Sequence, residues 1–159
     1  MFALRNSLRT LVLALTIAGF AQVWASPSQA ADRAVRNPAT DSPEYTVQQA
    51  LLASLDDDEK RGFDSYLELV HPIAKENQIA VVQLRRYSWT TFRKRARDYI
   101  LNGTRGGYQV ERQEPEKRTE TTEHVRLFVM PVNNKKRPYA SPVRLSLHEG
   151  RWLIRSNTL

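Results

Sequence analysis

The sequence predicts an α+β domain in which three N-terminal helices pack on a curved antiparallel sheet of about four strands. Up to residue 100, apolar residues recur every three or four positions, as on one face of a helix. After Gly106-Gly107 they alternate with polar residues, as in strands with one buried face. Helices followed by a meander of strands are typical of an α+β architecture.

Composition excludes several classes of protein. The 159 residues contain no cysteine, which excludes disulfides, thiolate nucleophiles, zinc fingers and iron–sulfur clusters. The formal net charge is +7, but it is unevenly distributed. Residues 31–80 hold 5 Lys/Arg against 10 Asp/Glu, whereas residues 81–159 hold 17 against 7. The two parts attract each other, so net charge alone does not indicate a polyanionic partner.

Residues 1–30 have the pattern of a secretory signal peptide. Two arginines precede an uncharged, mostly apolar run of 15 residues (10–24), and small residues between Ala25 and Ala30 offer cleavage sites. This run is shorter than the roughly 20 apolar residues that a membrane-spanning helix needs, which favours cleavage. An uncleaved inner-membrane anchor is the alternative. We therefore expect an exported protein, periplasmic or extracellular.

The polar composition of residues 31–42 predicts a flexible linker, and residues 43–159 are expected to form the domain. The first helix begins at Pro43 after a capping Ser42 or Asp41. The second follows the acidic run 56–59 and ends at His71-Pro72, because the residue before a proline disfavours helix. The segment 73–87 is ambiguous, with helix or mixed structure favoured.

Ser88 is expected to cap the third helix, and Asn102-Gly103 to end it. Four strands follow, the last two joined by a tight turn at Glu149-Gly150. Burial of apolar surface should turn one set of strand residues towards the helices. This set comprises Val125, Leu127, Val129, Val143, Leu145, Leu147, Trp152 and Ile154.

Four segments give the chain a resemblance to a known superfamily: TVQQALLASL, FDSYLELVHP, SWTTFRKRARDYI and the terminal SLHEGRWLIRS. Together they resemble the nuclear-transport-factor-2-like superfamily (the cystatin-like α+β roll), especially its small exported bacterial members of unknown function. The resemblance implies a cone-shaped pocket between the helices and the sheet. The residues expected to line it are Phe63, Trp89, Phe92, Leu127, Leu145 and Trp152.

Enzymes of this superfamily, such as isomerases, dehydratases and cyclases, hold an Asp, His, Arg or Tyr in that pocket. Here the helix-borne candidates are Asp64, Tyr66 and Tyr99. A surface role for the aspartate and core packing for the tyrosines compete with this interpretation. Because no Asp, Glu or His lies at the inward strand positions, we favour a non-catalytic binding module without a cofactor. It would hold a small apolar ligand in the cone or a protein partner on the sheet.

Two histidines suggest a metal site, although weakly. If Leu127 pairs with Leu145, His124 lies opposite His148 on the outer face of the sheet. Two ligands do not complete a tetrahedral site, so solvated histidines are the simpler interpretation and no metal is expected.

Two surfaces suggest partners. Arg93, Lys94 and Arg97 on the third helix predict adhesion to anionic envelope components, while a solvated face balanced by the acidic half is the alternative. Nucleic acid is not expected, because an exported protein meets envelope polymers and lipids first. The outward strand residues Phe128, Met130 and Leu153 predict a homodimer through the outer sheet face.

Overall fold

The computed structural model describes residues 33–116 and 123–159. Within them, the helices are α1 (Pro43–Ser54), α2 (Glu59–Glu68), α3 (Gln78–Gln83) and α4 (Thr90–Arg95). A π-helical turn at Leu84–Trp89 joins α3 to α4, and 3-10 turns at Pro72–Lys75 and Ala96–Asp98 follow α2 and α4. Residues 78–98 thus form one continuous stretch, here called the long helical segment, which with α1 and α2 makes three helical bodies. The predicted signal peptide lies outside the described residues.

The strands form a single antiparallel meander in the order β1-β2-β3-β4-β5. They are β1 (Arg33–Val35), β2 (Tyr108–Pro115), β3 (His124–Val129), β4 (Ser141–His148) and β5 (Arg151–Asn157). Register shifts interrupt β2 between Val110 and Arg112 and the β4–β5 pair between Arg144 and Leu145. Such bulges bend and twist strands. The predicted α+β class is confirmed.

The described part of the sheet has five strands rather than the four predicted, and one of them precedes the helices. Arg33–Val35 lies in the predicted linker, yet it pairs with β2 through Arg33–Val110 and Val35–Tyr108. The cause is tertiary: Val35 enters the core at 7% exposure, and the Arg33 guanidinium forms an ion pair with Glu44 of α1. Three residues are too few for a periodic pattern to predict a strand.

Local signals explain the start of each helical body. Ser42 caps α1 by accepting a hydrogen bond from the Tyr45 backbone N–H at 3.2 Å, as predicted. Asp58 caps α2, which turns the acidic run into a helix start. The prediction that Ser88 caps the third helix is wrong: Asn77 caps α3 through the Ala80 N–H (2.9 Å), and Ser88 lies inside the π-helical turn.

The core lies between the helical bodies and one face of the sheet. Leu51 of α1 and Leu127 and Leu145 of the sheet are completely buried, as expected for the inward set. Two members of that set, Leu147 and Trp152, are only half-buried. They pair with each other beside the turn that joins β4 to β5, and Trp152 packs at the margin of the core.

Gly62 sets the distance between α1 and α2. A Cβ atom at this position would lie 2.5 Å from the Ala53 carbonyl oxygen and 3.3 Å from the Trp89 ring. The first contact is with backbone and cannot be relieved by rotating a side chain, so only glycine permits this approach.

We expect Gly62→Ala to lower the free energy of unfolding by about 1–3 kcal/mol, because it overpacks the α1–α2 contact. Urea denaturation monitored by tryptophan fluorescence measures this change, since Trp89 is completely buried in the folded protein. Ser65→Ala, at an exposed position of the same helix, is the control and should shift stability by less than about 0.5 kcal/mol. Equal stability of the two variants would contradict the packing argument.

Candidate functional site

The space where the resemblance places a pocket is filled by aromatic side chains. Trp89 is completely buried, with ring centroids 5.9 Å from Phe63 and 5.1 Å from Tyr66. Phe92 closes the group at 5.4 Å from Tyr66. The predicted lining residues therefore pack against one another as core, apart from the half-buried Trp152.

The three catalytic candidates have separate environments. Asp64 is exposed on α2 and accepts a hydrogen bond from Lys60 Nζ at 2.9 Å. Tyr66 is buried in the aromatic core, and burial raises the pKa of its hydroxyl. The Tyr99 hydroxyl is hydrogen-bonded to Ser141 Oγ at 2.8 Å. Each group has a structural role, and the structure does not assemble them into one site.

The predicted pairing of His124 with His148 is wrong by two residues. Leu127 pairs with Val143 instead of Leu145, so His124 faces Ser146. The register depends on the connection between β3 and β4, and its polar sequence carries no periodic signal. His148 instead packs edge-on against His71, with ring centroids 5.0 Å apart. Within the described ranges, no group of three or more His, Asp or Glu side chains has an arrangement suited to a metal ion.

His71 is the residue of this group that sequence reasoning placed only at a helix end. Its Nδ1 accepts a hydrogen bond from the Ile73 N–H at 3.3 Å and so caps the 3-10 turn after α2. Burial, followed by the nearby His148, Arg155 and His124, lowers the pKa of its imidazole below 6.5. Three histidines and Arg155 therefore lie close together in one region of the described structure.

The outer sheet face does not present the apolar patch predicted for a homodimer. Phe128 and Leu153 are 8% and 7% exposed in the single chain, and Met130 is half-buried. The Arg112 guanidinium lies 3.6 Å from the Phe128 ring centroid and covers it. The side chains of this face thus cover their own apolar residues, and the homodimer stays a prediction.

The predicted polyanion-binding residues divide into two kinds. Arg93 is half-buried and donates a hydrogen bond of 2.6 Å to the Asp56 carbonyl oxygen, which ties α4 to the α1–α2 turn. Lys94 and Arg97 are exposed and form no ion pair with an acidic residue in the described part of the chain. Only these two remain available for a partner.

Three of the exposed large apolar side chains in the described residues lie together on the long helical segment. Ile79, Val82 and Tyr87 are 71%, 57% and 61% exposed, and together with Arg86 they form what we call the α3 stripe. Gln78 and Gln83 complete a shallow groove of about 420 Å³ along it. Sequence reasoning missed this stripe because apolar residues occupy two sides of α3: Val81 and Leu84 pack on the core, while Ile79 and Val82 face outwards.

The α3 stripe begins near another exposed apolar residue and contains a cation–π pair. Ile73, in the 3-10 turn that contacts α3, is 68% exposed. The Arg86 guanidinium lies 5.5 Å from the Tyr87 ring centroid, a cation–π contact. The π-helical turn that carries both residues is a geometry often found at functional sites.

Comparison with known proteins leaves these observations to stand alone. No protein-family model matches the chain, no curated protein matches it, and no solved structure matches it. In the described ranges 33–116 and 123–159, no helix is both long and apolar enough to cross a membrane.

We expect the free energy of unfolding to decrease as the pH falls below about 6.5, because His71 binds a proton more readily in the unfolded chain. The pKa of His71 is lower in the folded protein than in the unfolded chain. Its contribution to stability is therefore complete above the pKa of the unfolded chain and is lost as the pH falls towards the folded-state pKa. Hydrogen bonds from Arg61 lower the pKa values of the Asp56 and Asp58 carboxyl groups, so these two groups titrate below this window. Urea denaturation between about pH 7.5 and about pH 5 measures the slope.

His71→Asn tests the assignment, because asparagine can still cap the turn but does not titrate. The variant should have a flatter stability profile over this range. A profile as steep as that of the parent protein would show that His71 is not responsible.

Proposed function

We propose that this protein is a non-catalytic module that binds anionic membrane surfaces through the α3 stripe. The observation that carries the proposal is the exposure of Ile79, Val82 and Tyr87 on one helical face, with Arg86 among them. Solvent exposure of such a group is unfavourable unless something covers it. An exposed apolar stripe that includes a basic residue resembles the surface of a helix that lies in a membrane interface.

The apolar contribution comes from three side chains. Complete burial of one such side chain contributes about 1.5–3 kcal/mol, so shallow insertion of the α3 stripe supplies a useful but limited affinity. Tyrosine suits the headgroup level, because its ring is apolar and its hydroxyl can remain hydrated. Stable attachment therefore requires a second, electrostatic contribution.

Charge selects anionic surfaces. Arg86 lies within the stripe, and the exposed Lys94 and Arg97 follow on the same helical segment. Arg85 contributes less, because its Nε lies 3.8 Å from a Glu59 carboxylate oxygen. Each basic group near an anionic membrane adds about 1 kcal/mol, and salt screens this attraction. The predicted export of the chain would bring it to the anionic lipids of a cell envelope.

For the fold, we propose membership of the nuclear-transport-factor-2-like superfamily. Support comes from the order of α1, α2, the long helical segment and strands β2–β5, and from packing of the helices on one sheet face. The aromatic core favours binding at an outer surface over a ligand or a reaction in the cone.

The proposal predicts that Ile79→Asp/Val82→Asp weakens binding to phosphatidylglycerol vesicles at least about tenfold, since two carboxylates replace inserted apolar groups. Vesicle co-sedimentation measures the partition coefficient. The parent protein should bind phosphatidylcholine vesicles more weakly, and its binding to phosphatidylglycerol should decrease with added salt.

Thr91→Asp and Tyr139→Asp are controls for charge and for exposed aromatic surface outside the stripe. Thr91 is exposed on α4, and Tyr139 is 82% exposed in the β3–β4 connection. Both should retain most of the binding. Equal losses in the double variant and the controls would exclude the stripe as the binding surface, and binding that does not respond to salt would exclude the electrostatic contribution.

A further inference from the structure

A second cavity, of about 260 Å³, opens on the outer side of the sheet beside the 3-10 turn that follows α2. Its polar lining comes from separate elements: His71 from the turn, Glu116 after β2, Arg144 from β4, and Arg155 and Ser156 from β5. These groups converge although they are far apart in the sequence. Neither the aromatic core nor the α3 stripe explains them.

A bulge in β5 brings two consecutive side chains to this cavity. Arg144 pairs with Ser156 and Leu145 pairs with Ile154, so Arg155 is the extra residue on the β5 side. In a regular strand, neighbouring side chains point to opposite faces, but Arg155 and Ser156 both line the cavity. Bulges commonly redirect side chains at functional sites.

The cavity has an excess of positive charge. Glu116 is its acidic group, and its Oε1 lies 3.2 Å from Arg144 Nε and 3.2 Å from Arg126 Nε, so two cations share one carboxylate. Arg155 is exposed and forms no ion pair with an acid in the described residues. His148 and His124 add positive charge near His71 when they are protonated.

We propose that this cavity binds a phosphate group, carried by a soluble phosphate ester or by a lipid headgroup. The Arg155 guanidinium supplies a fork of N–H donors that matches two phosphate oxygens, and Arg144 retains N–H groups beyond the Nε that faces Glu116. The Ser156 hydroxyl and the His71 ring add donors, since Nδ1 of His71 accepts from Ile73 and the neutral ring carries its proton on Nε2. The cavity exceeds the size of one phosphate, so the attached group also fits.

The histidines make this binding pH-dependent. A bound phosphate would offset the repulsion among His71, His148, His124 and Arg155, and would raise the pKa of His71 from its lowered value. By linkage, protonation of His71 strengthens phosphate binding, and bound phosphate favours protonation of His71. This site does not depend on the membrane proposal, because a soluble ester can occupy it without a bilayer.

The test is a titration of the purified protein with inorganic phosphate and with glycerol 3-phosphate, at constant ionic strength with chloride as the competing ion. Amide and histidine-ring NMR signals report binding, and we expect saturable shifts at Arg155, Ser156 and His71. Arg155→Gln should weaken binding about tenfold or more, because it removes a charge-assisted pair of hydrogen bonds. A phosphate monoester itself takes up a proton at about pH 6, so the pH effect is measured against His71→Asn: relative to this variant, the parent protein should gain affinity as the pH falls from about 7.5 to about 5.5.

Arg151→Gln is the matched control, because Arg151 is an exposed arginine of the same strand and does not line the cavity. It should bind phosphate as the parent protein does. Equal weakening in both variants would reduce the effect to general surface charge and overturn the site, as would the absence of saturable shifts in the parent protein.

Competition experiments then identify the source of the phosphate. Displacement of glycerol 3-phosphate by phosphatidic acid vesicles supports a site for a lipid headgroup. Continued binding of glycerol 3-phosphate in the presence of the vesicles supports a site for a soluble ester. The Ile79→Asp/Val82→Asp variant keeps the two proposals distinguishable. It should lose vesicle binding through the α3 stripe and still bind the soluble phosphates. Arg155→Gln should mainly weaken the binding of the soluble phosphates.

Discussion

The packing of Trp89 against Phe63, Tyr66 and Phe92 is the contact on which the rest of the structure depends. It joins α2 to the long helical segment and occupies the space between the helices and the sheet. The cost is a Trp89 indole N–H without a hydrogen-bond partner in the described structure, a loss of about 1–3 kcal/mol. Burial of four aromatic rings outweighs that loss, and Gly62 is needed for α1 to approach. Because the interior is filled, candidate binding surfaces lie on the outside of the domain.

Two outer surfaces differ in how far their positive charges are paired with acidic residues of the same chain. On the sheet, arginines pair with Glu114 and Glu116 or stack on Phe128, so most of the positive charge there is neutralised within the chain. Arg151 and Arg155 of β5 form no ion pair within the described residues, and the β5 bulge places Arg155 at the cavity. On the long helical segment the balance is reversed, since Lys94 and Arg97 have no acidic partner in the described ranges and lie beyond an uncovered apolar stripe. Net charge alone could not separate these surfaces.

The three histidines illustrate how register creates a site. A shift of two residues between β3 and β4 moves His148 away from His124 and leaves it beside His71, which comes from the turn after α2. The predicted cross-strand histidine pair is therefore replaced by a group of three histidines beside Arg155. Such a group favours the binding of anions, and protonation of His71 there lowers the free energy of unfolding.

The sequence by itself determined the α+β class, the N-terminal cap of α1 and the order of helices before the strands β2–β5, because these follow from short-range periodicity and local hydrogen bonds. It also identified the aromatic residues of the interior, although as the lining of a pocket. Only the tertiary structure decided that Arg33–Val35 joins the sheet, that Ile79 and Val82 face solvent, and that Arg155 turns towards His71. The physical reason is that strand register, bulges and the choice between two apolar helix faces are set by contacts between residues distant in the chain, which leave no periodic signal.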